Sequence, residues 1–322
     1  MRAIPVSDAM DVSVRLLRKE DLPEADHIVR VAFGTFVGAP DPARFGEGMD
    51  HVRGRWLADP NAAFGAEVDG KLVGSCFATK WGSFGFFGPL TVHPDFWDRG
   101  IASKLLEPTM RLLNEWRVHH AALFTFAHSP KHLGLYQKFG FWPRFLTLIT
   151  SKPVQAGKDS GEWTRFSDIP DQEKVHYLTM CRDFTNSVYG GLDLEREIMA
   201  VRNQKLGDTV LLWDGQTLIG LAVCHCGVGT EAGSDQCYIK FGAASSGSRS
   251  VEAFDRLLSA CDELASAEGM KCVVGGVNTA CQDACTRMMA RGFRLDFQGV
   301  LMLKPSEPAF DRPDRYVICD LR

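Results

Sequence analysis

Apolar and polar positions alternate along residues 13–17, then change to helical spacing at Ile28, Val31, Ala32 and Phe36. Alternation marks a half-buried strand, and recurrence every three or four residues marks an amphipathic helix. Residues 38–42 break that helix, and a second is predicted over 44–57, stopped by Asp59 and Pro60. Residues 63–68 and 71–79 read as strands joined by an Asp69–Gly70 hairpin turn. An apolar run over 84–92 predicts a further strand. Pro94 and Asp95 end it, and a helix over 100–117 puts Ile101, Leu105, Leu106, Met110 and Leu113 on one face. A short strand at 121–127, a helix at 129–139 closed by Gly140, and a strand at 144–150 complete the series.

Residues 151–162 are polar, contain Pro153, Gly157 and Gly161, and have no apolar period. They read as a linker. The same series then recurs: a strand at 163–166, helices at 172–188 and 194–205, and a hairpin of 210–213 with 218–226 about Asp214–Gly215. A strand at 237–243, a long amphipathic helix at 251–267, a strand at 272–277 and a helix at 283–289 follow, then strands within 298–303 and 315–319. Residues agree as well as patterns. Asp69–Gly70 and Gly74 answer Asp214–Gly215 and Gly220, while Gly140–Phe141 answers Gly292–Phe293. A period this long is a duplicated domain and not a solenoid.

Composition narrows the function classes. The 322 residues are enough for about two domains at ~100–200 residues each. Hydrophobic residues at 45% and charged residues at 24% suit a globular core. A net charge of −4 and the absence of any Lys/Arg block argue against a nucleic-acid partner. No apolar run reaches ~18 residues, and residues 1–8 lack a signal-peptide core, so no membrane partner and a cytoplasmic location are expected. Ten cysteines in such a chain read as buried free thiols. Cys224 with Cys226, and Cys281 with Cys285, lack the spacing of a zinc knuckle, and no metal is expected.

The candidate chemistry centres on residues 89–106. A strand passes Pro94 and reaches Trp97, Asp98, Arg99, Gly100, Ile101 and Ala102, where the helix begins. A strand, a small-residue turn and a helix start leave backbone N–H groups free to hold an anion. An ordinary connector uses the same residues, and this stretch alone does not choose between them.

Downstream, Leu135, Tyr136, Gly140 and Phe141 end a helix at fixed spacing from Val92, His93, Pro94 and the turn. This combination resembles the GNAT superfamily of CoA-dependent N-acyltransferases, strongly over residues 13–150 and more weakly over 162–322. The resemblance implies an α/β (α+β) fold of two tandem GNAT-like domains, each a mixed twisted sheet flanked by helices on both faces. They would span 12–152 and 162–322, with 153–161 as linker. It also implies two parallel strands that splay around the pantetheine arm of acetyl-CoA, the co-substrate. Leu90, Thr91 and Val92 would pair with that arm. Asp98, Arg99, Gly100, Ile101, Ala102 and Ser103 would line the pyrophosphate site, and Ser129 and His132 would contact the arm. The family turn carries Gln or Arg where this chain has Trp97.

Acetyl transfer to a primary amine by direct attack requires a base for the amine and an acid for the leaving thiolate. The resemblance assigns the acid to Tyr136. His128 is the candidate base, with His93, His132 or a water relay from Glu67 left open. In the second copy, Met288 stands where Tyr136 stands in the first, and the loop over 243–250 has lost the turn spacing. That half is expected to be catalytically silent. A non-catalytic acyl-CoA-binding or interaction protein is the alternative function. The acceptor, a small-molecule or peptide amine, is not specified by the sequence.

Overall fold

A computed structural model describes residues 11–155 and 160–322. The first half contains β1 (Val12–Leu16), α1 (Leu22–Val37), α2 (Arg53–Ala58), β2 (Ala63–Val68), β3 (Lys71–Trp81), β4 (Phe84–Val92), α3 (Ile101–Glu115), β5 (His120–Thr125), α4 (Pro130–Lys138) and β6 (Trp142–Pro153). The second contains β7 (Trp163–Arg165), α5 (Lys174–Val188), α6 (Glu195–Gln204), β8 (Gly207–Asp214), β9 (Thr217–Cys226), β10 (Gln236–Ala244), α7 (Ser250–Ala267), β11 (Cys272–Asn278), α8 (Gln282–Ala290), β12 (Arg294–Lys304) and β13 (Tyr316–Cys319).

Two expectations change. The helix expected over 44–57 is α-helical only from Arg53. Gly46 and Gly48 take positive φ, and Met49 bridges to Thr230 of the second half. The Asp50 side chain then accepts from the Val52 and Arg53 N–H groups, at 2.9 and 2.8 Å, to start the short helix. The expected linker also shortens. Residues 151–153 belong to β6 because Pro153 pairs with Cys272, and residues 156–159 lie outside the described set.

Among the described residues the strands form one mixed sheet in the order β1-β2-β3-β4-β5-β12-β6-β11-β10-β9-β8-β7, with β13 added against β10. The two halves of the chain meet within this sheet and exchange a strand there. β12 of the second half lies between β5 and β6, and β6 of the first lies between β12 and β11. Each half-sheet is therefore completed by the other half's strand.

Helices cover both faces. α3 buries Ile101, Leu105, Leu106 and Leu113 with Phe87 and Tyr136. α7 buries Phe254, Leu257, Cys261 and Leu264 with β8 to β11. A third core joins the two halves, packing Trp81, Phe84 and Phe86 against α5 and α6.

The strand that carries the candidate site is bent. β4 pairs with β3 throughout, but Gly88 and Pro89 together oppose Phe77, which makes a bulge. On its other side β4 pairs in parallel with β5 only at residues 84–86 opposite 120–122. Past the bulge the two strands part and leave a wedge. In the second half the parallel pair β10 and β11 also parts, after Ile239. There β13 fills the gap, pairing with residues 241–244 of β10.

Candidate active site

The wedge between β4 and β5 opens into a cavity of about 1490 Å³. Its walls come from α1, the 45–51 segment, β4, the turn at 96–103, β5, and the start of α4. Leu295, Phe297 and Gln298 of β12 close one side, so the exchanged strand builds part of the first half's cavity.

At one end lies the turn. Asp98 and Gly100 hold left-handed backbone, with φ of 63° and 76°. Among the described residues no side chain caps α3, so its first-turn N–H groups at Ile101, Ala102 and Ser103 are available to an anion. A side chain at Gly100 would meet open space, so glycine there answers the backbone geometry and not crowding.

Trp97 now has a role. Its indole N–H donates to the Val92 carbonyl at 2.7 Å, and the Lys131 ammonium sits 5.6 Å from its ring centroid. Lys131 also pairs with Asp98 at 2.6 Å. The tryptophan thus ties the end of β4 to the turn and to the start of α4.

At the inner end, Tyr136 is buried against Phe87, with ring centroids 5.8 Å apart. Burial, with Cys76 beside it, pushes its phenol above the ordinary tyrosine range, against a hydrogen bond with Thr125. The group stays protonated at neutral pH and is a hydrogen-bond donor. Ser129 caps α4, its oxygen accepting from the His132 N–H at 3.3 Å. His132 packs against Phe36 with the rings tilted and centroids 4.8 Å apart, and its Nδ1 is buried with no hydrogen-bond partner among the described residues. Burial, with the nearby Lys131 and His128, lowers its pKa. The ring is therefore neutral at neutral pH.

The structure brings Leu90, Thr91, Val92, Asp98, Gly100, Ile101, Ala102, Ser103, His128, Ser129, His132 and Tyr136 onto this one cavity. Arg99 is not on its wall; its guanidinium lies 5.4 Å from the Phe96 ring centroid. His93 sits beside Asp95, and Glu67 is committed to Arg15 at 3.0 Å, so neither lines the cavity.

Sequence reasoning missed Phe33, Phe36, Phe45, Phe126, Leu295, Phe297 and Arg322, all of which line it. Phe33 and Phe36 lie three apart on the last turns of α1, a spacing that signals an apolar helix edge. Nothing local marks β12 as a neighbour of this site.

A splayed β4–β5 pair, a left-handed glycine opening α3, and a buried tyrosine at the far end of the wedge are one arrangement. The same stretch matches the model of the acetyltransferase (GNAT) family over residues 31–141. Those residues form a GNAT-family domain. Solved structures share the GNAT fold across nearly the whole chain. A protein assigned as an acetyltransferase from Pyrococcus horikoshii is 14% identical, with 96% of this chain and 94% of that one covered at a TM-score of 0.68. A GCN5-related N-acetyltransferase from Sphaerobacter thermophilus is 14% identical, with coverage of 96% and 98% and a TM-score of 0.57. The glucosamine N-acetyltransferase region of a fungal β-N-acetylglucosaminidase is 12% identical, covering 91% of this chain and 38% of that one at 0.61. At such identities the likeness is one of fold. A search of curated proteins returns no match.

Among the described residues no group of three or more His, Cys, Asp or Glu side chains could hold a metal ion, and all ten cysteines are free. No helix among them is long and apolar enough to cross a membrane.

Proposed function

We propose that the chain is an acetyl-CoA-dependent N-acetyltransferase in which the first half carries the reaction and a primary amine attacks the thioester directly. The observation that carries this reading is the wedge itself. It has an anion-holding helix start at one end and a protonated, buried phenol at the other. Acetyl-CoA, when bound, supplies the activated acyl group.

The chain's own residues divide the work. The first-turn N–H groups of α3 hold the pyrophosphate, with Lys131 near the turn. The free edge of β4 at Leu90 to Val92 offers backbone groups to the amides of the pantetheine arm. Tyr136 donates a hydrogen bond to the sulfur as negative charge develops there. His132, held neutral by burial and lining the cavity, takes the amine proton in preference to the exposed His128.

The second half is silent in this reading. β13 occupies the wedge that would admit a second pantetheine arm, and Met288, fully buried, cannot donate a proton. This half instead closes the first half's cavity with β12.

The test is acetyl-CoA turnover over a panel of amines, with Tyr136→Phe measured alongside. The expected loss in kcat is about a hundredfold with CoA affinity retained. Tight CoA binding without acetylation of any amine would instead support a non-catalytic acyl-CoA-binding protein.

A further inference from the structure

The cavity's lining points to a kind of acceptor. Among the described residues, four of the large apolar side chains left exposed, Val37, Phe45, Leu295 and Phe297, all face this one cavity. Phe297 is 43% exposed and Leu295 50%, on a strand that is otherwise well packed from Val300 onward. Soluble proteins seldom gather exposed apolar side chains in one concave place without a ligand to cover them.

The rings are also organised. Phe36 lies 4.6 Å from Phe126, Phe33 lies 6.1 Å from Phe126, and Phe33 lies 6.4 Å from Phe45, centroid to centroid. Phe124 and Phe297 form a second pair at 6.4 Å. His132 joins the first group on Phe36. A ligand body among these faces and edges would be apolar and planar.

Charge excludes the main competitor. Among the described residues two side-chain carboxylates line the cavity, and each already has a cation. Asp26 pairs with Arg30 at 2.8 Å, and Asp98 with Lys131 at 2.6 Å. Arg30 also donates to the carbonyls of Phe45, Gly46 and Met49, which fixes it in place. Lys138 adds further positive charge to the wall, while the Arg322 guanidinium is paired with Asp320 at 3.2 Å. An acceptor with several ammonium groups would meet cations and no unpaired carboxylate.

We infer that the acceptor is a monoamine borne on an aromatic or similarly planar apolar body, held between Phe36, Phe126 and Phe297, and not a polyamine or aminoglycoside. This rests on the acetyl-transfer reading above. The single amine is neutralised at His132, and the ring body supplies the binding energy by burial.

The test compares phenethylamine and tryptamine with spermidine and kanamycin as acceptors for the full chain, while calorimetry reads acetyl-CoA binding without acceptor. The expected result is a kcat/KM at least about tenfold higher for the aromatic monoamines, one buried ring being enough for that ratio. Phe36→Ala and Phe297→Ala are each expected to reduce that preference by raising KM for the aromatic amine. A preference for spermidine or kanamycin overturns the acceptor class and leaves acetyl transfer standing. So does faster transfer from a longer-chain acyl-CoA than from acetyl-CoA to a small amine, since the rings would then serve the acyl chain. Absent acetyl-CoA binding would overturn the acetyl-transfer reading itself.

Discussion

Arg55 of the first half and Glu231 of the second face each other in the interior, joined by two hydrogen bonds of 2.9 and 3.0 Å. Both side chains are almost wholly buried. Arg55 also donates to the carbonyl of Gly88, in the bulge that parts β4 from β5. Glu231 continues through Lys240 at 3.0 Å to Glu197 at 2.8 Å, which accepts from the Trp81 indole at 3.1 Å. Burial opposes ionisation of Glu231, yet the Arg55 and Lys240 charges hold it well below the usual carboxylate range. The second half is thereby anchored to the strand that lines the wedge.

Breaking this pair should affect stability and catalysis separately. Arg55→Met leaves Glu231 with Lys240 alone and releases the Gly88 carbonyl. The expected loss is about 3 kcal/mol of unfolding free energy, read by urea denaturation. Adding Glu231→Gln should recover part of that stability, because the unmatched charge is gone. It should not recover kcat, because the bulge remains unheld. Full recovery of kcat in the double variant would remove Arg55 from any role in shaping β4.

Gly100 tests the turn. Alanine there must keep a φ of 76° with no compensating contact, which costs about 1 to 2 kcal/mol. Relief of that strain would rotate the first N–H groups of α3 away from the pyrophosphate. The expectation is a weaker CoA affinity by about tenfold or more, read by calorimetry. An unchanged dissociation constant would show that the anion is held elsewhere.

Trp97→Phe keeps the ring under Lys131 and removes only the N–H bond to Val92. The expected cost is about 1 kcal/mol of stability, in thermal or chemical unfolding. CoA affinity should fall by less than in the Gly100 variant, because the turn's N–H groups remain. A larger loss than at Gly100 would mean that Trp97 touches the ligand.

Acid sensitivity follows from His225, which is buried and has its pKa pushed down to about 4 by burial and by Lys240. The unfolded chain takes up a proton at the ordinary value of 6.5, but the folded ring does not. Its contribution is therefore intact above pH 6.5 and is lost as pH falls toward 4, at about 1.4 kcal/mol per pH unit. His51, pushed down to about 3 by burial, acts in the same direction. His225→Gln should flatten the fall in unfolding free energy between pH 6.5 and 4 without abolishing it. An unaltered slope would assign the acid loss to other groups.

Much of this protein was written locally. The hairpin of β2 and β3 about Asp69–Gly70, the stripe of α3 and the Gly140 stop of α4 each depend on a few neighbouring residues, and the structure keeps them. The family resemblance pointed to Leu90 to Val92, the Gly100 turn and Tyr136 together, and all of them line one cavity. The 44–57 segment was not legible, because Met49 answers to Thr230 across the molecule.

The tertiary structure alone decided which strands became neighbours. β6 and β12 each read as a late strand of its own half, and alternation fixes which face of a strand is buried but not which edge it pairs with. Backbone donors and acceptors are the same in every strand, so the exchange leaves no local mark. The same reason hid Phe297 from the first cavity and let β13 close the second.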